Sequence, residues 1–160
     1  MEFLDIVNKN DEVIGKEERN KAHEKHLLHR AVIIIIANDK RQILLQLRKS
    51  TKKQYPLFWA GSVNGHISSG ETSIKAAKKE MKEELGIETK FEFVDKFIID
   101  NEVEHEMVTI FYAKSNGPFK IDKSESEKVE FIDVGKLRAH DLKMTPHCKK
   151  ALQLVLKKYF

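Results

Sequence analysis

Gly65-His66-Ile67-Ser68-Ser69-Gly70-Glu71, seven further residues, then Lys79-Glu80-Met81-Lys82-Glu83-Glu84-Leu85-Gly86-Ile87: this stretch decides how the chain is read. From Thr72 to Leu85 it reads as a helix. Thr72 or Ser73 can cap it, Ala76 and Ala77 favour it, and Gly86 can end it in the left-handed conformation. Glu80, Glu83 and Glu84 then stand at i, i+3 and i+4, on one face within about one turn. Ile74, Ala77, Met81 and Leu85 share another face, suited to a core. Three like charges so close repel and gain nothing for an isolated helix. A hard divalent cation with oxygen ligands removes that repulsion. Taken alone, an acidic triplet among Lys75, Lys78, Lys79 and Lys82 is usually a solvated face.

Outward from this stretch, strands precede and follow the helix. Ala31 to Ala37 is a continuous apolar run that predicts a strand buried on both faces. Gln42 to Arg48 returns as a strand after the turn Asn38-Asp39-Lys40. Leu4 to Val7 and Glu12 to Lys16 are short strand candidates, and Arg19 to Lys25 reads as a loop or one helical turn. Lys49 to Pro56 is a polar loop that ends in Leu57-Phe58-Trp59, and Ser62 to Val63 leads into the stretch as a short strand. Phe91 to Ile99, Glu106 to Lys114 and Lys128 to Val134 are further strands, the last followed by a helical turn to Arg138. Thr145 caps a final helix with Pro146 at its first position and an apolar stripe of Ala151, Leu152, Val155 and Leu156. Strands flanking one helix and closing on another predict α/β (α+β) layers.

At 160 residues the chain reads as one domain with room for a core. It is 34% charged and 41% hydrophobic, the composition of a soluble globular protein. The longest apolar run is too short to span a bilayer, so no membrane partner is expected. The acidic start Met1-Glu2-Phe3-Leu4-Asp5 lacks a signal-peptide pattern, and the single Cys148 excludes an internal disulfide. Both fit a cytoplasmic location. The net charge of +4 favours anionic ligands such as phosphates. The lysines are scattered with few interleaved aromatics, which argues against a nucleic-acid surface.

The stretch from Gly65 to Ile87 resembles the Nudix box, G-x5-E-x7-R-E-U-x-E-E-x-G-U with U aliphatic. Its one departure is Lys79, where the family has Arg. The resemblance implies the Nudix fold, a mixed β-sheet between helices, and metal-assisted attack on a diphosphate. Glu80, Glu83 and Glu84 would bind Mg²⁺ or Mn²⁺, and one carboxylate would position or deprotonate a water. Glu83 is the first candidate for that base, with Glu106 as the alternative. In the family the Arg pairs with the upstream Glu, here Glu71. Lys79 supplies the charge but no bidentate fork, which predicts a looser brace rather than an inactive site.

The resemblance extends to one branch of that superfamily. The pattern Asp5-x-x-Asn8-x5-Ile14-Gly15, followed by Ala22-His23 and Leu28-His29-Arg30-Ala31, looks like type I isopentenyl-diphosphate isomerase. In that branch two such histidines, a Gly-His pair and a Glu-x-Glu hold one divalent metal. The matching residues are His23, His29, His66, Glu104 and Glu106, a donor set suited to Mn²⁺ or Zn²⁺. The isomerases carry a Cys just before the Gly-His pair, and here that position is Asn64, whose side chain does not ionise at ordinary pH and so cannot act as acid or base. The leading expectation is therefore a hydrolase on the isomerase scaffold. An isomerase is the first alternative, and a non-catalytic nucleotide-sensing module the second. Gln46 and Arg48 could meet substrate phosphate, and Trp59, Phe58 and Asn64 are further candidates for substrate contact. The loops Lys49 to Phe58 and Glu92 to Glu104 are expected to choose the substrate, and monomer and homodimer both remain open.

Overall fold

In the computed structural model, which describes residues 1–160, the apolar run becomes the middle of a long strand with neighbours on both edges. Along the chain, β1 (Phe3–Val7) and β2 (Val13–Glu18) form an antiparallel hairpin. Helix α1 (Arg19–Glu24) leads into β3 (His29–Ala37) and β4 (Gln42–Arg48). Short strands β5 (Trp59–Ala60) and β6 (Val63–His66) precede helix α2 (Ser73–Leu85). A second hairpin, β7 (Phe91–Asp100) and β8 (His105–Lys114), is followed by β9 (Ser126–Asp133), α3 (Val134–Ala139) and α4 (Pro146–Tyr159).

β3 organises the sheet. One edge lies parallel to β8 over its whole length, from His29 opposite Glu106 to Ala37 opposite Lys114. The other edge is divided among three antiparallel partners. β1 meets it at His29, β6 covers Ala31 to Ile34, and β4 takes Ile36 and Ala37. Where β6 gives way to β4, the buried hydroxyl of Ser62 accepts from the Ile36 N–H at 2.8 Å and donates to the Leu44 carbonyl. That contact satisfies polar groups which the change of partner would otherwise leave buried and unpaired. β4 continues the sheet into β5 and β9.

Successive side chains of β3 point to opposite faces, so both faces must be covered. Ile33, Ile35 and Ala37 pack with Val108 and Ile110 against Ala151, Leu152 and Val155 of α4. Val32, Ile34 and Ile36 pack with Leu44 and Phe111 against Ala76, Ala77, Met81 and Leu85 of α2. The result is the expected mixed sheet between helices.

Four local expectations change. The strand expected at Ser62 to Val63 runs from Val63 to His66, because β3 offers backbone partners as far as His66. Residues 19–24 close as a helix, capped by the Glu18 carboxylate accepting from the Lys21 N–H. Ile74 has the phase of the buried stripe but is 53% exposed, since α2 reaches the sheet only from Ala76 onward. The strand expected from Phe91 to Ile99 forms as β7 and ends at Asp100, so only 101–104 of the loop expected at Glu92 to Glu104 lies outside a strand.

Ile34 is fully buried between β3's neighbours and α2. Replacing it with Ala should cost about 2–5 kcal/mol in chemical denaturation. A loss under about 1 kcal/mol would mean that this face is not the packed core described.

Candidate active site

Two adjoining cavities open beside β6. The first, about 290 Å³, is lined by Glu80, Glu83 and Glu84 together with Gln46, Arg48 and Asn64. The second, about 720 Å³, contains His23, His66, Glu104, Glu106 and His147. Asn64, Gly65 and His66 line both, so one short strand separates two clusters of different chemistry.

The glutamate cluster is set by the ends of α2. The Thr72 hydroxyl accepts from the Lys75 N–H at 3.1 Å, and Gly86 ends the helix at φ 66°. All three glutamates then face the cavity, as their spacing predicts. Gly65 leaves room for Glu80: a Cβ there would lie 2.7 Å from the Glu80 carboxyl carbon and would push that side chain aside. Glu71 accepts from the Ser68 N–H at 3.2 Å and stands 3.7 Å from Lys79 Nζ, the single-contact brace expected of Lys.

Glu84 is the most enclosed carboxylate of the three. Its Oε1 accepts from Gln46 Nε2 at 2.7 Å, and its Oε2 lies 3.3 Å from the Asn64 N–H. Burial nonetheless pushes its pKa well above the usual carboxylate range, and the Glu80 charge adds to the shift. Glu80 is raised too, first by burial and then by Glu83. These are acids held against one another with too little water, a state that a divalent cation relieves. The donor set, all oxygen, fits Mg²⁺ or Mn²⁺.

In the second cluster the parallel register of β3 and β8 sets His29 opposite Glu106, and the pairing of β3 with β6 sets His66 opposite Ala31. Glu106 Oε2 lies 2.9 Å from both His29 Nε2 and His66 Nε2. Its Oε1 lies 2.6 Å from His147 Nε2, which also stands 2.9 Å from Glu104 Oε2. The His23 ring sits 4.9 Å from that of His29 and 5.3 Å from that of His66. Buried His23 Nδ1 has no hydrogen-bond partner, and the Glu104 Oε2 approach to His147 lacks hydrogen-bond geometry.

These residues fit a cation. His29 Nδ1 lies 2.9 Å from the Leu27 carbonyl, which can only accept, so Nδ1 carries the proton. A neutral His29 therefore aims its Nε2 lone pair at a carboxylate, which repels unless a second proton or a metal lies between. Without a metal, protons take that place. The pKa of His147 is raised to about 9, because Glu104 and Glu106 outweigh the effect of burial. That of His29 is raised by Glu106 against burial. Glu106 is held well below the carboxylate range, since His147, His29 and His66 overcome its burial. His23, which has no such partner, is lowered by burial and by His29.

The structure thus brings together His23, His29, His66, Glu104 and Glu106, and separately Glu80, Glu83 and Glu84. Three expectations are corrected. Glu106 is 3% exposed with both oxygens within hydrogen-bond distance of imidazoles, so its place is inside the cluster rather than as a base on substrate. Trp59 lines neither cavity; it packs against the core under Lys128. Gln46 spends its amide on Glu84 and on the Ser62 carbonyl, which makes it a support for the helix carboxylate. Arg48 does line both cavities, with its guanidinium braced on the Gln54 carbonyl. Of the two loops expected to choose the substrate, the first supplies Lys52, Lys53, Gln54 and Tyr55 to the larger cavity and the second only Glu104. His147 was not foreseen, because a lone His after Pro146 carries no local signal.

The comparisons agree with this geometry. The NUDIX domain family matches residues 27–155. The chain is 32% identical over 147 residues to isopentenyl-diphosphate Delta-isomerase 1 of Aromatoleum aromaticum, covering 89% of this chain and 82% of that one. It is 30% identical over 158 residues to the uncharacterized Nudix hydrolase YfcD of Escherichia coli K12, covering 98% and 88%. In fold it is similar to DR0079 from Deinococcus radiodurans, at TM-score 0.78 and 22% identity over 99% of this chain and all of that one. The NUDIX domain of Shewanella oneidensis NrtR, solved with ADP ribose, superposes at TM-score 0.69 and 13% identity over 90% and 95%. The chain belongs to the Nudix family. Its relatives include both Nudix hydrolases and isopentenyl-diphosphate isomerases, and it is an enzyme of the pyrophosphohydrolase class.

The raised pKa of Glu84 has a thermodynamic consequence. A carboxyl whose folded pKa lies above its unfolded value near 4.5 contributes stability below that value, and loses it as pH rises through the folded pKa. In EDTA at pH 8, Glu84→Gln should therefore melt higher than the wild type. Mg²⁺ should raise the melting temperature of the wild type more than that of the variant. A variant that melts lower than the wild type in EDTA would show that the charge is not the cost.

Proposed function

We propose that this chain is a divalent-metal-dependent hydrolase that cleaves a diphosphate bond in a nucleoside diphosphate derivative or a similar small diphosphate. The observation that carries the reading is the glutamate cluster. Three carboxylates crowd one turn of α2, two of them raised in pKa by burial, in a cleft that also presents Arg19, Arg48 and Lys52. Acidic groups for a cation beside basic groups for phosphate are the two halves that hydrolysis of a charged diphosphate requires.

Glu80, Glu83 and Glu84 are the residues that would hold Mg²⁺ or Mn²⁺. A bound cation supplies neutralisation of phosphate charge and a lower pKa for a coordinated water. Arg19, Arg48 and Lys52 orient the phosphate oxygens. Glu83, the exposed member of the set, takes the water's proton. The water oxygen forms the new bond to phosphorus, the bridging P–O bond breaks, and its electron pair leaves with the departing phosphate. Relatives bearing the name Nudix hydrolase support the reaction class, and the ADP-ribose complex of the NrtR domain supports the substrate class.

A second reading, isopentenyl-diphosphate isomerisation, is favoured by the 32% identical isomerase and by the His/Glu cluster. Asn64 weighs against it: its amide donates to the Gly61 carbonyl at 2.9 Å and offers no proton for carbon chemistry. Cys148 cannot replace the missing thiol, because it is fully buried with its pKa pushed up to about 12.

The test is a panel of nucleoside di- and triphosphates, dinucleotide polyphosphates, coenzyme A, nucleotide sugars and isopentenyl diphosphate, with Mg²⁺ or Mn²⁺. Phosphate, pyrophosphate and isomer products are scored. Hydrolysis of a panel member is expected, with Glu83→Gln lowering kcat by at least about 100-fold. Undiminished turnover in that variant would remove Glu83 from its role, and isomerisation without hydrolysis would overturn the reading.

A further inference from the structure

We propose that His147, the second residue of α4, is a ligand of the cation held by the imidazole–carboxylate cluster, and that it closes that cation's coordination sphere. The donors fall into two sets, each with its ligand atoms within 4.8 Å of one another. These are His23, His29, His66 and Glu106, and Glu104, Glu106 and His147. Glu106 belongs to both, with Oε2 toward His29 and His66 and Oε1 toward His147.

Proton counting favours a metal at His147 over a hydrogen bond. His147 Nε2 stands 2.6 Å from one carboxylate and 2.9 Å from another. One ring nitrogen carries at most one proton, so it can donate well to only one of them. The other, Glu104 Oε2, is the buried oxygen left without a hydrogen bond. A shared cation would take a lone pair from each of the three groups, whose ligand atoms lie within 4.8 Å of one another. The spacing fits as well. Two ligand atoms at right angles around a cation, each at about 2.1 Å, stand about 3 Å apart. The second orphan, His23 Nδ1, is buried beside His29 and becomes a ligand by the same step.

The backbone delivers His147 to this place. The Trp59 N–H donates to the Lys143 carbonyl at 2.8 Å and the Thr145 N–H donates to the Trp59 carbonyl at 2.9 Å, which fixes the entry to α4. The Thr145 hydroxyl then caps the helix by accepting from the Cys148 N–H. His147 projects from that capped first turn toward β8.

Counting His147, the two donor sets joined through Glu106 offer four imidazoles and two carboxylates, which the proposed cation draws together. A closed sphere of protein ligands marks a structural metal, whereas a catalytic metal keeps a position open for water. This cation therefore clamps α1, β3, β6 and β8 to the start of α4. Water activation is left to the glutamate cluster across β6.

The experiment needs no substrate, so it stands or falls apart from the hydrolase reading. The full chain is loaded with one equivalent of Zn²⁺, and the zinc K-edge X-ray absorption is recorded. Four imidazoles are expected in the wild type and three in His147→Gln, with zinc affinity by chelator competition at least about tenfold weaker in the variant. Glu83→Gln should leave both readouts unchanged. Three imidazoles in the wild type, no zinc bound, or unaltered affinity in His147→Gln would overturn the proposal. If that variant does not fold, the wild-type imidazole count decides alone.

Discussion

The structure depends on the burial of β3 on both faces and both edges. A strand reading His29-Arg30-Ala31-Val32-Ile33-Ile34-Ile35-Ile36-Ala37 has no solvent face to offer. It needs a helix above, a helix below, and backbone partners left and right. α2 and α4 supply the faces; β8 supplies one edge, and β1, β6 and β4 divide the other. That division brings function to the strand. The partners that cover the first half of β3 carry His66 and Glu106, and β3 itself contributes His29. The hydrophobic demand of one strand thus fixes the register of three of the cluster's polar residues.

What the sequence disclosed followed the range of its signals. The glutamate cluster was legible because Gly65, Glu71, Glu80, Glu83, Glu84 and Gly86 are bound by local spacing and helix geometry. The two helix faces and the buried strand were legible from periodicity alone. The histidines at 23, 29 and 66 needed the family resemblance, since nothing local separates a ligand from a solvated His. His147 had neither aid: its meaning comes from a contact with Glu106, 41 residues away in the chain. Trp59 failed in the opposite direction. Its size and its place before the box suggested substrate, but bridging to Met144 and packing on the core claim it. Ile74 failed because phase says which way a side chain points, not whether a neighbour is there.

The two clusters answer the same problem, charge taken out of water, with opposite means. In the glutamate cluster like charges are pressed together and their pKa values rise. In the imidazole cluster opposite charges are pressed together, and Glu106 falls while His29 and His147 rise. The first arrangement is unstable until something positive arrives, which suits a site that must take up and release a charged ligand. The second is held together by its own opposite charges, yet leaves His23 Nδ1 and Glu104 Oε2 buried without a partner.

β6 is wall to both clusters, and this governs how variants there must be interpreted. Gly65 lies against Glu80 on one side, while the next residue, His66, reaches Glu106 on the other. A substitution at either position shifts a backbone that both clusters share. Energies of substitutions at Gly65 and His66 will not add, and a double-mutant cycle between these two positions should close with a residual coupling. Epistasis between the two halves of the molecule is therefore built into a single peptide bond.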